Sequence, residues 1–277
     1  MTRPEPSHAG VRPISSLQNE RVKLIRSLQM RKARRDSGLF VAEGISVLLT
    51  ARAAGWSPLM VLFLAGSAEQ GVARELLGWA TGVGAECLEV TPAVLAKVAA
   101  KDNPQTMLGV FAQQWADEPC PPRASEDVVW IALEAIRDPG NLGTIIRTAD
   151  AVGASGVMLI GTSCDPYAHE AVRASMGSIF NVVPVRLKVE RFLAWAEAWS
   201  GDMIGTSLSA DADFRAVVYR RPTLLVMGSE GPGLSPAVAA ACSRLVKIPM
   251  AGRLDSLNLA VATGLMLYEI RRERLRL

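Results

Sequence analysis

Five polar residues stand in short glycine-bearing segments where loops run into helices. Asn141 and Arg147 lie in DPGNLGTIIRTADAVGA (138–154), Glu230 in LLVMGSEGPGLS (224–235), and Ser256 and Asn258 in IPMAGRLDSLNLAVATGLMLYE (248–269). An amide, a guanidinium, a carboxylate and a hydroxyl can together grip a polar ligand, clamp an anion and share a proton. Glycines beside them let backbone N–H groups come close to that ligand. The spacings exclude the commoner nucleotide sites. No G-x-x-x-x-G-K-[ST] occurs, and Gly228, Gly231 and Gly233 do not form G-x-G-x-x-G. Metal chemistry is not expected: the two histidines, His8 and His169, make no ligand cluster, and Cys87, Cys120, Cys164 and Cys242 include no CxxC pair.

Three of the five also have an ordinary structural use. Asn141 can cap the helix that follows it, and Ser256 is placed to cap the last helix. Glu230 can be a plain loop carboxylate. Arg147 projects from an otherwise apolar helix, among Ile145, Ile146 and Ala149, and so calls for a phosphate or carboxylate partner. Asn258 falls inside the first helical turn, where asparagine is a poor helix former, which favours a ligand role.

The elements that must position these residues alternate along the chain. Leu17, Leu24, Ile25 and Leu28 form one stripe, predicting a single basic amphipathic helix over 16–34. Strands are expected at 40–43, 59–65, 87–90 and 107–113, and helices at 44–54, 68–81 and 92–100, the last capped by Thr91. Residues 115–127, WADEPCPPRASED, are Pro-rich and aperiodic, and read as a linker. Strands then recur at 128–134, 156–160, 181–185, 203–206, 223–227 and 245–248. Helices are expected at 142–152, 169–175, 189–199, 235–241 and 257–275. Near-continuous Val/Ile/Leu strands separated by helices imply a parallel sheet covered on both faces, whose ligands bind beyond the carboxyl ends of the strands. The fold class is therefore α/β: a small N-terminal α/β domain over 14–114, after a disordered lead-in at 1–13, and a C-terminal parallel-sheet α/β/α domain over 128–277.

Bulk composition agrees. At 277 residues, 49% hydrophobic and 21% charged, the chain has core enough for two domains. It has no apolar run of membrane length, and its first residues lack a secretory signal pattern. With scattered cysteines, a cytoplasmic location is expected. The net charge is only +3, but seven positive and no negative residues lie between Arg21 and Arg35. An unmixed basic stretch suggests a phosphate-rich partner.

The pattern N-x-G-x-x-x-R-x-A-x-x-x-G (Asn141, Gly143, Arg147, Ala149, Gly153), the Gly228–Gly233 turn and Ser256-Leu257-Asn258 are similar, in this order, to the three motifs of the SPOUT methyltransferases, specifically the SpoU (TrmH-type) branch. Glu170–Ser178 is similar to the R-A-S-x-G segment of the same branch. Ser16, Asn19, Val22-Lys23, Arg34 and Phe40–Gly44 resemble a substrate-binding domain like ribosomal protein L30e. This resemblance implies S-adenosylmethionine as cofactor and methylation of ribose 2′-hydroxyls in RNA, with ribosomal RNA as the substrate that the N-terminal domain suggests. A transfer-RNA substrate and a non-catalytic RNA-binding protein are the alternatives. It further implies a trefoil knot, a homodimer formed through the C-terminal domain, and a cofactor site near Leu208, Gly228, Ile248, Met250 and Leu257. Asn141, Arg147, Glu230, Ser256 and Asn258 would face the ribose. Arg21, Lys23, Arg31, Lys32, Arg34, Arg35 and Arg173 would contact RNA. Which group takes the hydroxyl proton stays open; a guanidinium, with its pKa above about 12, suits a phosphate clamp better than a base.

Overall fold

The computed structural model describes residues 10–99, 104–124, 126–254 and 256–275. The chain divides into two units, one ending at Gln113 but joined by Tyr167–Phe180, the other made of Gln114–Pro166 and the residues from Asn181 onward.

The first unit contains β1 (Val11–Ile14), α1 (Glu20–Ser27), α2 (Arg31–Ser37), β2 (Leu39–Glu43), α3 (Ile45–Ala53), β3 (Met60–Leu64), α4 (Gly71–Gly82), β4 (Glu86–Val90), α5 (Pro92–Ala99) and β5 (Met107–Ala112). Its sheet runs β1-β4-β3-β5-β2, with β5 antiparallel to both of its neighbours. One face packs Val22, Ile25, Leu95 and Val98 from α1 and α5 over Leu62 and Leu88. The other packs Leu48, Leu76 and Leu77 from α3 and α4 over Val61 and Phe63. Burying such side chains contributes roughly 1.5–3 kcal/mol each, which is what holds helices this short.

Three expectations change here. Residues 11–13, assigned to a lead-in, belong to β1, which pairs in parallel with β4 from Val11↔Cys87 to Ile14↔Val90. Pro13 is tolerated because β1 is an edge strand. Positions 1–9 lie outside the described residues. The single helix over 16–34 is two, α1 and α2, broken at 28–30. Arg34 explains the break: it is only 4% exposed, and its guanidinium donates to the carbonyls of Leu28 (2.8 Å) and Gln29 (2.9 Å). It thus satisfies backbone acceptors that the end of α1 leaves open. The segment 167–180, read as part of the C-terminal domain, packs in the first unit, where Tyr167 and Phe180 join Phe40, Trp56 and Phe111 in one aromatic cluster.

The chain continues through β6 (Val129–Glu134), α6 (Pro139–Ala151), β7 (Gly156–Ile160), α7 (His169–Ser175, in the first unit), β8 (Val185–Leu187), α8 (Val189–Ala196), β9 (Asp202–Thr206), β10 (Thr223–Met227), α9 (Pro236–Ala241), β11 (Arg244–Val246) and α10 (Leu259–Arg271). The second sheet runs β11-β9-β10-β6-β7-β8 and is parallel throughout. The strand expected at 181–185 begins only at Val185, after Pro184, and residues 178–180 form a short 3-10 turn instead. The last strand is β11, two residues earlier than expected at its end. The order of strands reverses between β6 and β10, and the cavity of this unit lies at the carboxyl ends of β9, β10 and β11, next to that point.

The Pro-rich segment does not hang loose. Trp195 Nε1 donates to the Pro119 carbonyl (2.7 Å), Ser200 to that of Pro122 (2.9 Å), and Arg191 Nε to Glu118 (2.6 Å). Arg186 lies 3.7 Å over the Trp115 ring. With one bridge, in which the Ala116 N–H donates to the Pro184 carbonyl at 3.1 Å, the segment satisfies further carbonyls with the side chains of α8 and its neighbours.

Candidate active site

Two of the motif residues do work that sequence reasoning assigned to their neighbours. The N-cap of α6 is Asp138, whose Oδ1 accepts from the Asn141 N–H at 2.6 Å, with Pro139 in the first turn. Asn141, expected as the cap, sits inside that turn with its side chain available. At α10 the correction runs the other way. Ser256 makes no capping bond, whereas Asn258 is itself the N-cap, its Oδ1 accepting from the N–H groups of Ala260 (2.9 Å) and Val261 (3.3 Å). The Asp-Pro dipeptide at 138–139 could have revealed the first cap from sequence, because Pro favours the first helical position behind such a residue.

With Asn141 released and Asn258 fixed, three segments meet. Asn258 Nδ2 donates to Asn141 Oδ1 at 2.9 Å, and Asn141 Nδ2 donates to Glu230 Oε1 at 2.8 Å. The amide of Asn141 is thereby oriented from both ends. The other carboxylate oxygen, Glu230 Oε2, is buried and has no hydrogen-bond partner among the described residues. Buried acceptors are nearly always satisfied, so an unfilled one marks a place for a donor from outside. Negative charge there is felt nearby: the Cys164 thiol is pushed up to about 12 by burial first, then by Asp138, Glu230 and Asp165.

Backbone geometry brings the segments together. Ala135, directly after β6, has φ +52, a left-handed conformation that a non-glycine residue adopts at a cost of roughly 1–2 kcal/mol. It turns the chain so that Ile136 is buried and Asp138 opens α6. The loop after β10 closes on itself, with Gly233 N–H donating to the Ser229 carbonyl at 3.1 Å. Gly228 is required by that closure. A Cβ there would run into the Gly233 carbonyl and the Leu234 nitrogen. Glu134, which sequence reading passed over, ends β6 only 6% exposed, and its Oε2 accepts from the Ser235 N–H at 2.8 Å. Its sequence signal was a lone charge ending an apolar run.

Beside this chain of amides lies a cavity of about 800 Å³. All five residues expected to hold a cofactor line it: Leu208, Gly228, Ile248, Met250 and Leu257. So do Glu230, Ser256 and Asn258, together with the Ser207 and Ser209 hydroxyls that the sequence did not single out. Asn141 reaches this wall only through its bonds to Glu230 and Asn258. Arg147 does not line the cavity. It is exposed on α6 and has no ion pair among the described residues.

The residues expected to bind RNA belong to the first unit. Arg31, Lys32 and Arg173 are exposed. Arg21 is half exposed and pairs with Glu86 (2.8 Å), Lys23 with Glu20 (3.0 Å), and Arg35 with Asp36 (3.1 Å). Exposed pairs of this kind are worth about 0–1 kcal/mol and exchange readily for a phosphate. Arg34 is the exception: buried and bonded to backbone, it is a structural residue.

Comparison with known proteins agrees with this geometry. Residues 128–268 match the model of the SpoU rRNA Methylase family, and residues 19–109 match that of the MRM3-like substrate binding domain. An AdoMet-bound rRNA methyltransferase from Sinorhizobium meliloti is 38% identical with a TM-score of 0.88, over 96% of this chain and 100% of that one. A 23S rRNA (uridine(2479)-2'-O)-methyltransferase of Streptomyces viridochromogenes is 33% identical over 88% of this chain and 86% of its own. An uncharacterised tRNA/rRNA methyltransferase of Synechocystis is 33% identical over 97% of both chains. A matched catalytic unit, a matched substrate-binding unit and near full-length relatives leave one assignment: the chain belongs to the SpoU rRNA methylase family.

Proposed function

We propose that this protein transfers a methyl group from S-adenosylmethionine to a ribose 2′-hydroxyl of ribosomal RNA, in the cytoplasm. The observation that carries the reading is the Asn258–Asn141–Glu230 chain, which leaves one buried carboxylate oxygen unfilled at the wall of the cavity. The cavity suits the cofactor. It falls within the ~300–1,000 Å³ usual for such sites and combines apolar Leu208, Ile248, Met250 and Leu257 with the hydroxyls of Ser207, Ser209 and Ser256. When bound, S-adenosylmethionine supplies a methyl group on a sulfonium centre, electrophilic without further activation.

The protein's share is then to orient the hydroxyl and accept its proton. Asn141, held at both ends of its amide, keeps Glu230 in one orientation, and Glu230 Oε2 receives the proton as the 2′-oxygen attacks. A ribose hydroxyl is too weak a nucleophile at neutral pH without such a base. Ser256, whose hydroxyl has no bond among the described residues, donates to the substrate. Arg147 clamps an RNA phosphate; its exposure, and the lack of an ion pair among the described residues, support that role. Arg21, Lys23, Arg31, Lys32, Arg35 and Arg173 hold the rest of the RNA.

The same reading includes a homodimer. On α10, Val261, Leu265 and Tyr268 are exposed at helical spacing, Tyr268 by 54%, while Met266 and Leu267 on the opposite side are buried. An apolar stripe beside the site favours burial against a second copy. The trefoil threading that the family resemblance implies for the loop before α10 belongs to the same proposal. The direct test maps 2′-O-methyl groups on total RNA with and without the protein, alongside calorimetry with S-adenosylmethionine. A new 2′-O-methyl group in ribosomal RNA is the expected result. No cofactor binding, or methylation on a base, would overturn the reading.

A further inference from the structure

A carboxylate at the end of a central parallel strand, buried where only polar partners justify it, calls for an explanation. Glu134 is such a group, and its bond reaches across 101 residues to the Ser235 N–H at 2.8 Å. Ser235 is where the loop after β10 becomes α9: its Oγ accepts from the Val238 N–H at 3.4 Å. The loop between has two fixed ends. At one, β10 delivers Gly228, whose missing Cβ leaves room for the Gly233–Leu234 backbone. At the other, Leu234 packs against the core formed by Val226, Trp195 and Val238, and the next residue is bonded to Glu134. Nearby, the Cys242 thiol is pushed up to about 12 by burial and then by the charge of Glu134. Between those ends stands Glu230, and residues 227–234 form one wall of the cavity.

We propose that Glu134 is a positioning residue of the methyl-transfer site: it pins the second end of the loop, and through it sets both the cofactor-facing wall and the carboxylate of Glu230. The inference rests on the proposed function for what the wall holds, but the pin itself does not. Reach, not charge, is what matters. The acceptor must extend far enough to meet an N–H on another segment, and no mobile counter-charge is needed.

That distinction sets the experiment. Glu134→Gln keeps the length and an acceptor oxygen but loses the charge. Glu134→Asp keeps the charge but withdraws the acceptor by one methylene. Hydrogen exchange on the full-length protein without ligand reads the pin, and calorimetry with S-adenosylmethionine reads its consequence. Losing one partner of a buried bond weakens the Asp variant's cofactor affinity by about ten-fold, with faster exchange at 229–235, while the Gln variant stays within about three-fold of the unsubstituted protein. Single-turnover methyl transfer at saturating cofactor falls in the Asp variant as well, because Glu230 rides on the same loop. Unchanged exchange at 229–235 in the Asp variant, or equal weakening by Asp and Gln, would overturn the inference. If the unsubstituted protein bound no cofactor, the proposed function would fall, and the exchange comparison would still decide the pin.

Discussion

The two ends of the second sheet carry polar clusters that share α6, β10 and α10, and they are built to opposite plans. At the carboxyl ends of β6 and β10, Asn141, Glu230 and Asn258 form a chain that stops at an unfilled oxygen. Before the amino ends of the same strands, Asp127 takes Arg221 (3.1 Å) and Arg271 (3.2 Å) on one oxygen and Arg274 (2.8 Å) on the other. Arg271 also donates to the carbonyls of Val152 (3.2 Å) and Gly153 (2.6 Å), where α6 ends. Thus α6 and α10 are fastened side by side at both ends, by amides at their starts and by an arginine at their finish. The amino-end cluster is held by its own side chains, beside a small cleft of about 120 Å³. Among the described residues, the carboxyl-end cluster is left one donor short beside a large cavity. Saturation is what stability calls for, and a missing partner is what a substrate needs.

The sharpest way to break the contrast is Glu230→Gln. Removing a proton acceptor lowers single-turnover methyl transfer by about 100-fold, while the melting temperature stays nearly constant, because only an unfilled oxygen is altered. A rate within three-fold of the original would remove Glu230 from the chemistry. At the opposite end, Arg271→Ala gives the reverse pattern. Losing charge-assisted bonds to two helix-end carbonyls reduces stability by about 2 kcal/mol in chemical denaturation, with turnover at 25 °C preserved. Loss of turnover without loss of stability would show the two ends to be coupled. Asn258→Ser sharpens the comparison further. Serine caps a helix about as well as asparagine, so stability holds to within a few tenths of a kcal/mol. The donor to Asn141 is lost, however, and the rate falls by about ten-fold.

The smallest effect tests the charge at each end. Cys164, at the carboxyl end, is pushed up to about 12 by burial and then by Asp138, Glu230 and Asp165. Tyr219, at the amino end, is also pushed up to about 12, by burial and then by Glu269. A raised folded-state value holds the proton, so both groups are neutral through neutral pH. Their contribution to stability is complete below the ordinary values of 9 and 10 and is lost as pH rises towards about 12. In Glu230→Gln, Cys164 alkylation at alkaline pH speeds up only a few-fold, since burial is the larger cause. No change at all would place Glu230 too far from Cys164 to act on it.

What the sequence alone determined is what short-range patterns carry. Apolar runs and helical spacing identified nearly every strand and helix of the parallel sheet, glycine-bearing loop–helix junctions singled out Asn141, Arg147, Glu230, Ser256 and Asn258, and the family resemblance added the five residues that line the cavity. Caps and breaks were less legible, because Asp138, Asn141, Ser256 and Asn258 all have side chains able to cap, and only the three-dimensional path of the chain selects among them. Basic charge on 21–35 was equally visible for every residue, yet Arg34 is buried against the Leu28 and Gln29 carbonyls. No local rule separates it from Arg35. The bonds that make the site, Asn141 to Glu230 across 89 residues and Asn258 to Asn141 across 117, exist because strand order places β10 beside β6. Strand order depends on long-range packing, whose partners no window of sequence contains, so the sequence named the groups and the tertiary structure alone decided which of them touch.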